Sequence, residues 1–395
     1  MSGLGHAVLL ALRHLRHHWG RSALIVIALS LVAFLPIAVD GVVDAGGRAL
    51  RARAEATPLV AGAQGAPIDL VLSALYFRKP PDRTMTFGEL DQLASGGLGS
   101  VLPLVMGDRV KDSPLIGVDR GYLDFRGLRC RRGRPFAVAG ECILGASVAD
   151  RERLSVGDLI TTAPREMFDL AGAYPLRMKV VGILEAGGGV DDGAVFVSTS
   201  TAWIVQGLAH GHDRVEEETD PTLVMGRADG VTIASAKIRE FVEITDENRA
   251  SFHFHGPLED RPLTAAIIVP RDEAAETILL GRADAGLLPV QLVRSSEVVD
   301  RLLVEVFRIR RILLAVLGVV AIATLLLVLV VLALSVRIRA VEIETMQLIG
   351  ASRARVGLIL GSEVVMLIAG SLLLAAIGAG ALAATIPMIE RLLLG

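Results

Sequence analysis

Histidine is where metal chemistry in this chain would have to start. Two H-x-H pairs occur, His210 and His212 in AHGHD and His253 and His255 in HFHG. Strand side chains alternate, so the members of each pair would share a face, and two such pairs hold the donors of a tetrahedral zinc-type site. The stretch between them carries the acidic run 216–218 and Asp220, and polar, charged residues in a surface insertion account for the same pattern without a metal. The expectation is no metal set and no cofactor. Catalytic constellations are missing as well. A phosphate-cradling loop needs G-x-x-x-x-G-K-[ST], yet none of the four lysines follows a glycine, and H-E-x-x-H, C-x-x-C and G-x-S-x-G do not occur. An enzyme is not expected.

The other concentration of charge is RIRAVEIETMQLIGASRARVGLIL, residues 337–360, set between uncharged runs at 312–336 and 364–389. As helices these runs rise roughly 37–39 Å, more than the roughly 30 Å of a hydrocarbon core. Both read as transmembrane helices, as does 22–39, which follows the basic stretch RHLRHHWGR. A cleavable signal peptide fits that first run less well, because its apolar region is typically short and lies close to the N-terminus. With 52% apolar and 21% charged residues and a mean hydropathy of +0.55, the chain mixes membrane and globular parts. A net charge of −3 gives no reason to expect nucleic acid.

Orientation is set by weighing arginines. Arg13, Arg16 and Arg21 precede the first run and Arg337, Arg339, Arg353 and Arg355 lie in the charged segment, whereas Arg308, Arg310 and Arg311 crowd the opposite end of the second run. Long domains are exported largely regardless of charge. The charged segment is therefore expected in the cytoplasm and the large domain outside the cell membrane. Cys130 and Cys142 both lie in that domain, and whether they pair is left open.

The large domain reads as mixed α/β. PIDLVLSAL (67–75) suggests a strand, TFGELDQLAS (86–95) a helix and SVLPLVMG (100–107) a strand. The order returns in LTAAIIVP (263–270), DEAAETILLG (272–281) and LPVQLV (288–293). Between them VGDLITT (156–162), LRMKVVGIL (176–184) and GAVFVST (193–199) are punctuated as strands. The expected architecture is an α/β extracytoplasmic domain on a base of three transmembrane helices. An amphipathic interfacial helix occupies 1–21 and the spans 22–39, 312–336 and 364–389. The membrane-proximal lobe is formed by 40–118 and 263–308, an inserted distal lobe by 119–262, and the loop by 337–361.

CILGASVADRERLSVGDLITT, MKVVGILEAGGGVDDGAVFVSTSTAW (178–203) and VEIETMQLIGAS (341–352), in this order with the spans, resemble the FtsX/MacB-like permease family of ABC transporters. The resemblance implies a permease subunit in which the loop is a coupling element. It would rest on a separate cytoplasmic ABC ATPase, which binds the ATP, and transmit hydrolysis to the extracytoplasmic domain for export or for lipoprotein or peptide release. It also implies a homodimer or heterodimer of permeases and an extracytoplasmic cargo or partner that the residues do not name. Physically, 341–348 lacks Pro and Gly and can extend the second span, Gly350 can stop a helix, and Ser352 can cap the next one. The candidate coupling residues are Glu342, Glu344, Met346, Gly350, Ala351, Ser352 and Arg353. Gln347 departs from the family, which tends to have a basic residue there. An ordinary solvated turn is the bland alternative for the loop, and a membrane-anchored sensor or assembly factor without an ATPase is the alternative for the chain.

Two further features bear on lipid and on assembly. Val8, Leu12, Leu15 and Trp19 recur at helical spacing, as on a helix lying in the membrane surface. Ala376, Gly380 and Ala384 form a small-residue stripe suited to a close helix contact. Family permeases usually have a fourth span. None follows 389 in this sequence, so Gly395 is expected on the extracytoplasmic face.

Overall fold

A long uncharged run in lipid must bond its own backbone, which makes it a helix, and here each of the three lies within a helix longer than itself. The computed structural model describes residues 3–164, 175–211, 224–228, 231–234, 242–349 and 351–394. The chain opens with α1 (Gly3–His17) and α2 (Trp19–Glu55). Next come β1 (Leu59–Gly62), α3 (Pro67–Tyr76), β2 (Met85–Thr86), α4 (Phe87–Ala94), β3 (Gly99–Val110), β4 (Ser113–Val118) and α5 (Arg120–Phe125). β5 (Cys130–Gly133), β6 (Glu141–Leu144), α6 (Ala146–Glu152), β7 (Leu159–Thr161), β8 (Leu176–Leu184), β9 (Val195–Ser198) and α7 (Thr199–Val205) follow. Then come β10 (Ala209–Gly211), β11 (Val224–Ala228), β12 (Val231–Ala234), β13 (Val242–Glu243), β14 (Phe252–Phe254) and β15 (Pro262–Leu263). The last elements are β16 (Ala265–Pro270), α8 (Glu273–Asp284), β17 (Gln291–Arg294), α9 (Ser295–Ile338), α10 (Ala340–Leu348) and α11 (Arg353–Leu394).

These elements form two compact units, one of Met1–Ala49 with Leu303–Glu390 and one built on Leu50–Leu302. In the first, α2, α9 and α11 are long and apolar enough to cross a membrane. Each contributes one residue to a small core of Ile25, Val328 and Leu367. Many of their other large apolar side chains face outward, as lipid-facing positions do. Arg310 of α9 is ion-paired to Asp44 and Asp40 of α2, at 2.6 and 3.6 Å.

The second unit is organised by one continuous sheet of order β13-β8-β6-β9-β4-β3-β16-β1-β17, with β5 and β7 also paired to β8. The two lobes expected from the sequence thus share a sheet, and one apolar core runs from Leu59 and Leu292 to Leu176 and Val180. The strand expected at 67–75 is instead the helix α3. Pro67 stands at its start and Asp69 in its first turn, and Leu70, Val71, Ser73, Ala74, Leu75 and Tyr76 are buried, so the second half of the helix is enclosed on all sides. The strand that precedes it is β1, four fully buried residues. Helix α4 is held by a capping box in which the Thr86 hydroxyl accepts from Glu89 N and the Thr86 N–H donates to Glu89 Oε2. Cys130 and Cys142 are both free. They lie on β5 and β6, which flank β8 opposite Leu184 and Val180, and two strand spacings of about 4.8 Å exceed the reach of a disulfide.

Candidate functional site

The charged loop folds as an elbow that bends at Arg339. At Arg339 the backbone leaves helical geometry (φ −89°, ψ 10°), although its N–H still bonds Ser335 O at 3.2 Å and its carbonyl accepts from Ile343 N at 3.0 Å. Residues 341–348 therefore do not continue α9 as expected but form a separate short helix, α10, beyond a one-residue bend. The Arg339 guanidinium donates to both Glu363 oxygens, at 3.0 and 3.1 Å, with side chains only 12% and 10% exposed. Glu342 approaches the same guanidinium at 3.4 Å. On the neighbouring helices Arg21 donates to Ser335 Oγ and lies 3.3 Å from His14 Nε2.

The other expected coupling residues surround this pivot. Glu342, Glu344, Ser352 and Arg353 are exposed, and Ala351 is half-buried. Met346, expected as an apolar anchor, is half-buried, while Leu348 and Ile349 carry the outward apolar surface. Ala351 N donates to Met346 O at 2.9 Å, the six-to-one bond that closes a helix C-terminus. Ser352 caps α11, its hydroxyl accepting from Arg355 N at 3.4 Å. Gly350 lies outside the described residues. Reading the sequence missed Arg339 and Glu363 as a pair. The signal was Glu363 itself, an acid at the edge of an apolar run, where an ionisable group demands a partner.

A second charged group was also missed. Near the C-terminus of α2, Arg53 donates to Asp191 at 2.6 and 3.0 Å, to Tyr122 Oη at 3.2 Å and to the Leu75 carbonyl. The two charged side chains are 14% and 11% exposed. Tyr76 donates to Leu50 O on α2 at 2.5 Å. Burial pushes the phenols of Tyr76 and Tyr122 up to about 12. Asp191 and Asp192 belong to the GGGVDDG stretch. Asp192 accepts from Gly187 and Gly188 N at 2.9 and 2.7 Å, which shapes the turn presenting Asp191. A Cβ on Gly145 would stand 2.3–2.5 Å from the carbonyls of Asp191 and Asp192, so the turn packs where only glycine fits.

Among the histidines, His253 and His255 are exposed on and just after β14. Residue 210 pairs with His253 across the β10–β14 ladder, and His212 lies outside the described residues. Among the described residues, no group of three His, Cys, Asp or Glu is placed to hold a metal. In α1, Val8, Leu12 and, just beyond it, Trp19 are exposed as expected. Leu15 instead packs against the helical core, and Ala7 and Ala11 are buried. Ala376, Gly380 and Ala384 all face outward.

The model of the MacB-like periplasmic core domain family matches residues 22–239. Solved structures similar to the chain include the following two. The extracellular domain of the noncanonic ABC-type transporter YknZ from Gram-positive bacteria is 11% identical over 60% of this chain and 99% of that one, with a TM-score of 0.33. The periplasmic region of MacB from Actinobacillus actinomycetemcomitans is 12% identical over 64% and 95%, with a TM-score of 0.34. No curated protein matches the chain.

Proposed function

Since the chain belongs to the FtsX/MacB-like permease family of ABC transporters, and is a membrane protein with a large extracytoplasmic domain, we propose that it carries the work of a separate cytoplasmic ATPase to that domain. The observation that supports this reading is the pivot. A short helix with exposed charges and exposed Leu348 and Ile349 hangs between two long apolar helices, and its bend at Arg339 is pinned by a largely desolvated ion pair in which one guanidinium nitrogen, Nη1, meets both Glu363 oxygens. A charge-assisted, largely desolvated pair of this kind is strong, so a push on α10 would move α9 and α11 together rather than be lost in a loose turn. Helix α9 itself is unbroken over 44 residues, a length of about 66 Å. ATP would be bound by the partner, and this chain would take no cofactor of its own.

On this reading the permease works mechanically, as one half of a dimer with itself or with a second permease. The outward stripe of Ala376, Gly380 and Ala384 suits a close helix contact. Export and release of a lipoprotein or peptide are the processes in view. Copurification of the tagged chain in mild detergent tests the partner, and a nucleotide-binding protein should come with it. Arg339→Gln should then lower the stimulated ATPase rate while the complex persists. A wild-type rate in that variant would remove α10 from the coupling path, and the absence of any nucleotide-binding partner would remove the reading.

A further inference from the structure

His14 of α1 holds a place in the helical unit that only its neutral form can fill. Its Nε2 lies 3.3 Å from Nη2 of Arg21. A guanidinium can only donate, so Nε2 must be the lone-pair nitrogen and the ring proton sits on Nδ1. The same arginine donates to Ser335 Oγ on α9, one helical turn before the bend, and the Ser335 carbonyl accepts from Arg339 N. His14 thus steadies the arginine that ties α2 to the root of the elbow. It is half-buried, and its ring stands 4.6 Å from that of His18. Burial holds it below the ordinary imidazole range, against the pull of Glu363 and with the added push of Arg339, His18 and Arg21. These charges come from α11, the bend, the α1–α2 junction and α2, and Glu342 of α10 adds its own beside Arg339.

We propose that His14 is a proton-operated latch on the elbow. Neutral, it accepts from Arg21 and leaves Glu363 to Arg339. When Nε2 takes a proton from water both ring nitrogens become donors. The bond from Arg21 is then lost, Arg21 and Arg339 are repelled, and Glu363 is drawn towards the new cation and away from the bend. The released arrangement therefore holds the proton more tightly than the latched one, and by linkage a fall in pH favours release. Each pH unit shifts the latched-to-released ratio by up to about tenfold.

The test uses the whole chain in detergent, with Cys130→Ala and Cys142→Ala, and a nitroxide spin label on Ile349→Cys, an exposed position at the end of α10. Between about pH 8 and about pH 5 the label should pass from a restricted to a mobile spectrum in a one-proton transition with its midpoint below about 6.5. His14→Gln, whose amide oxygen can still accept from Arg21, should keep the restricted spectrum throughout. His14→Lys, charged throughout, should keep the mobile one. His6→Gln and His17→Gln should retain the wild-type transition. The label reports the elbow with no ATPase bound, so the outcome does not depend on that partner. A transition that survives in His14→Gln, or that is missing from the wild type, overturns the latch, and a restricted spectrum in a folded His14→Lys chain overturns charge as its cause.

Discussion

Removing the Arg53 charge should unhinge the sheet unit. Arg53→Met keeps the apolar stem but strips the guanidinium, leaving the Asp191 carboxylate, 11% exposed, with the Tyr122 hydroxyl at 3.2 Å as its remaining side-chain partner. Breaking one half of a buried pair costs about 3–5 kcal/mol. For a unit of this size about 2–4 °C is lost per kcal/mol, so Tm should fall by about 6–20 °C. Asp191→Leu should cost a similar amount, since it strands the cation instead. The double variant Arg53→Met with Asp191→Leu should recover most of the loss, because an apolar pair of similar volume can replace a buried ion pair at little net cost. Thermal unfolding of the purified chain, followed by Trp203 emission in a Trp19→Phe background, isolates the sheet unit from the helices. A single-variant shift below about 2 °C, or strict additivity in the double variant, would show that the pair is not the desolvated clamp its geometry implies.

Alkaline stability follows from the same cluster. Tyr76 and Tyr122 titrate near 12 when folded, raised by burial, against about 10 when unfolded. Above pH 10 the unfolded chain gives up protons that the folded one keeps, so their contribution is intact below about 10 and is lost as pH rises towards 12. The slope is up to about 1.4 kcal/mol per pH unit for each tyrosine, and the unfolding midpoint against pH should flatten in Tyr122→Phe. At the elbow, charge reversal of Glu342 or Arg353 should weaken copurification of the ATPase, more at low salt than at high; equal retention by both variants would favour a solvated turn. In α4, Thr86→Ala should lower stability by about 1 kcal/mol through loss of the capping box, read by chemical denaturation.

What could be read from the sequence was what neighbours in sequence decide. The three spans, the capped helix after Thr86, and the strands at 100–107, 176–184 and 263–270 are set by run length, caps and alternation, and they stand in the structure. PIDLVLSAL reads equally as strand or helix because it is a short apolar run; Pro67 and Asp69, which start the helix, decide it. β1 escapes for the opposite reason, since four buried residues carry no period at all.

The charged clamps were hidden by distance along the chain. Arg53 finds Asp191 138 residues away, and Arg339 finds Glu363 24 residues away, across a turn. Taken alone, each of these residues looks like an ordinary solvated charge. Arg310 taught the same lesson at the other end of the uncharged run in α9. Judged from the sequence, it marked where an apolar run stops, and it counted against the orientation. In the structure it faces Asp44, 266 residues earlier, and the helix passes it without interruption. The end of an uncharged run is thus where a helix first meets a partner for its charges, which need not be where the helix ends. That is why α2 and α9 extend past the apolar segments that revealed them where Arg310 meets Asp40 and Asp44.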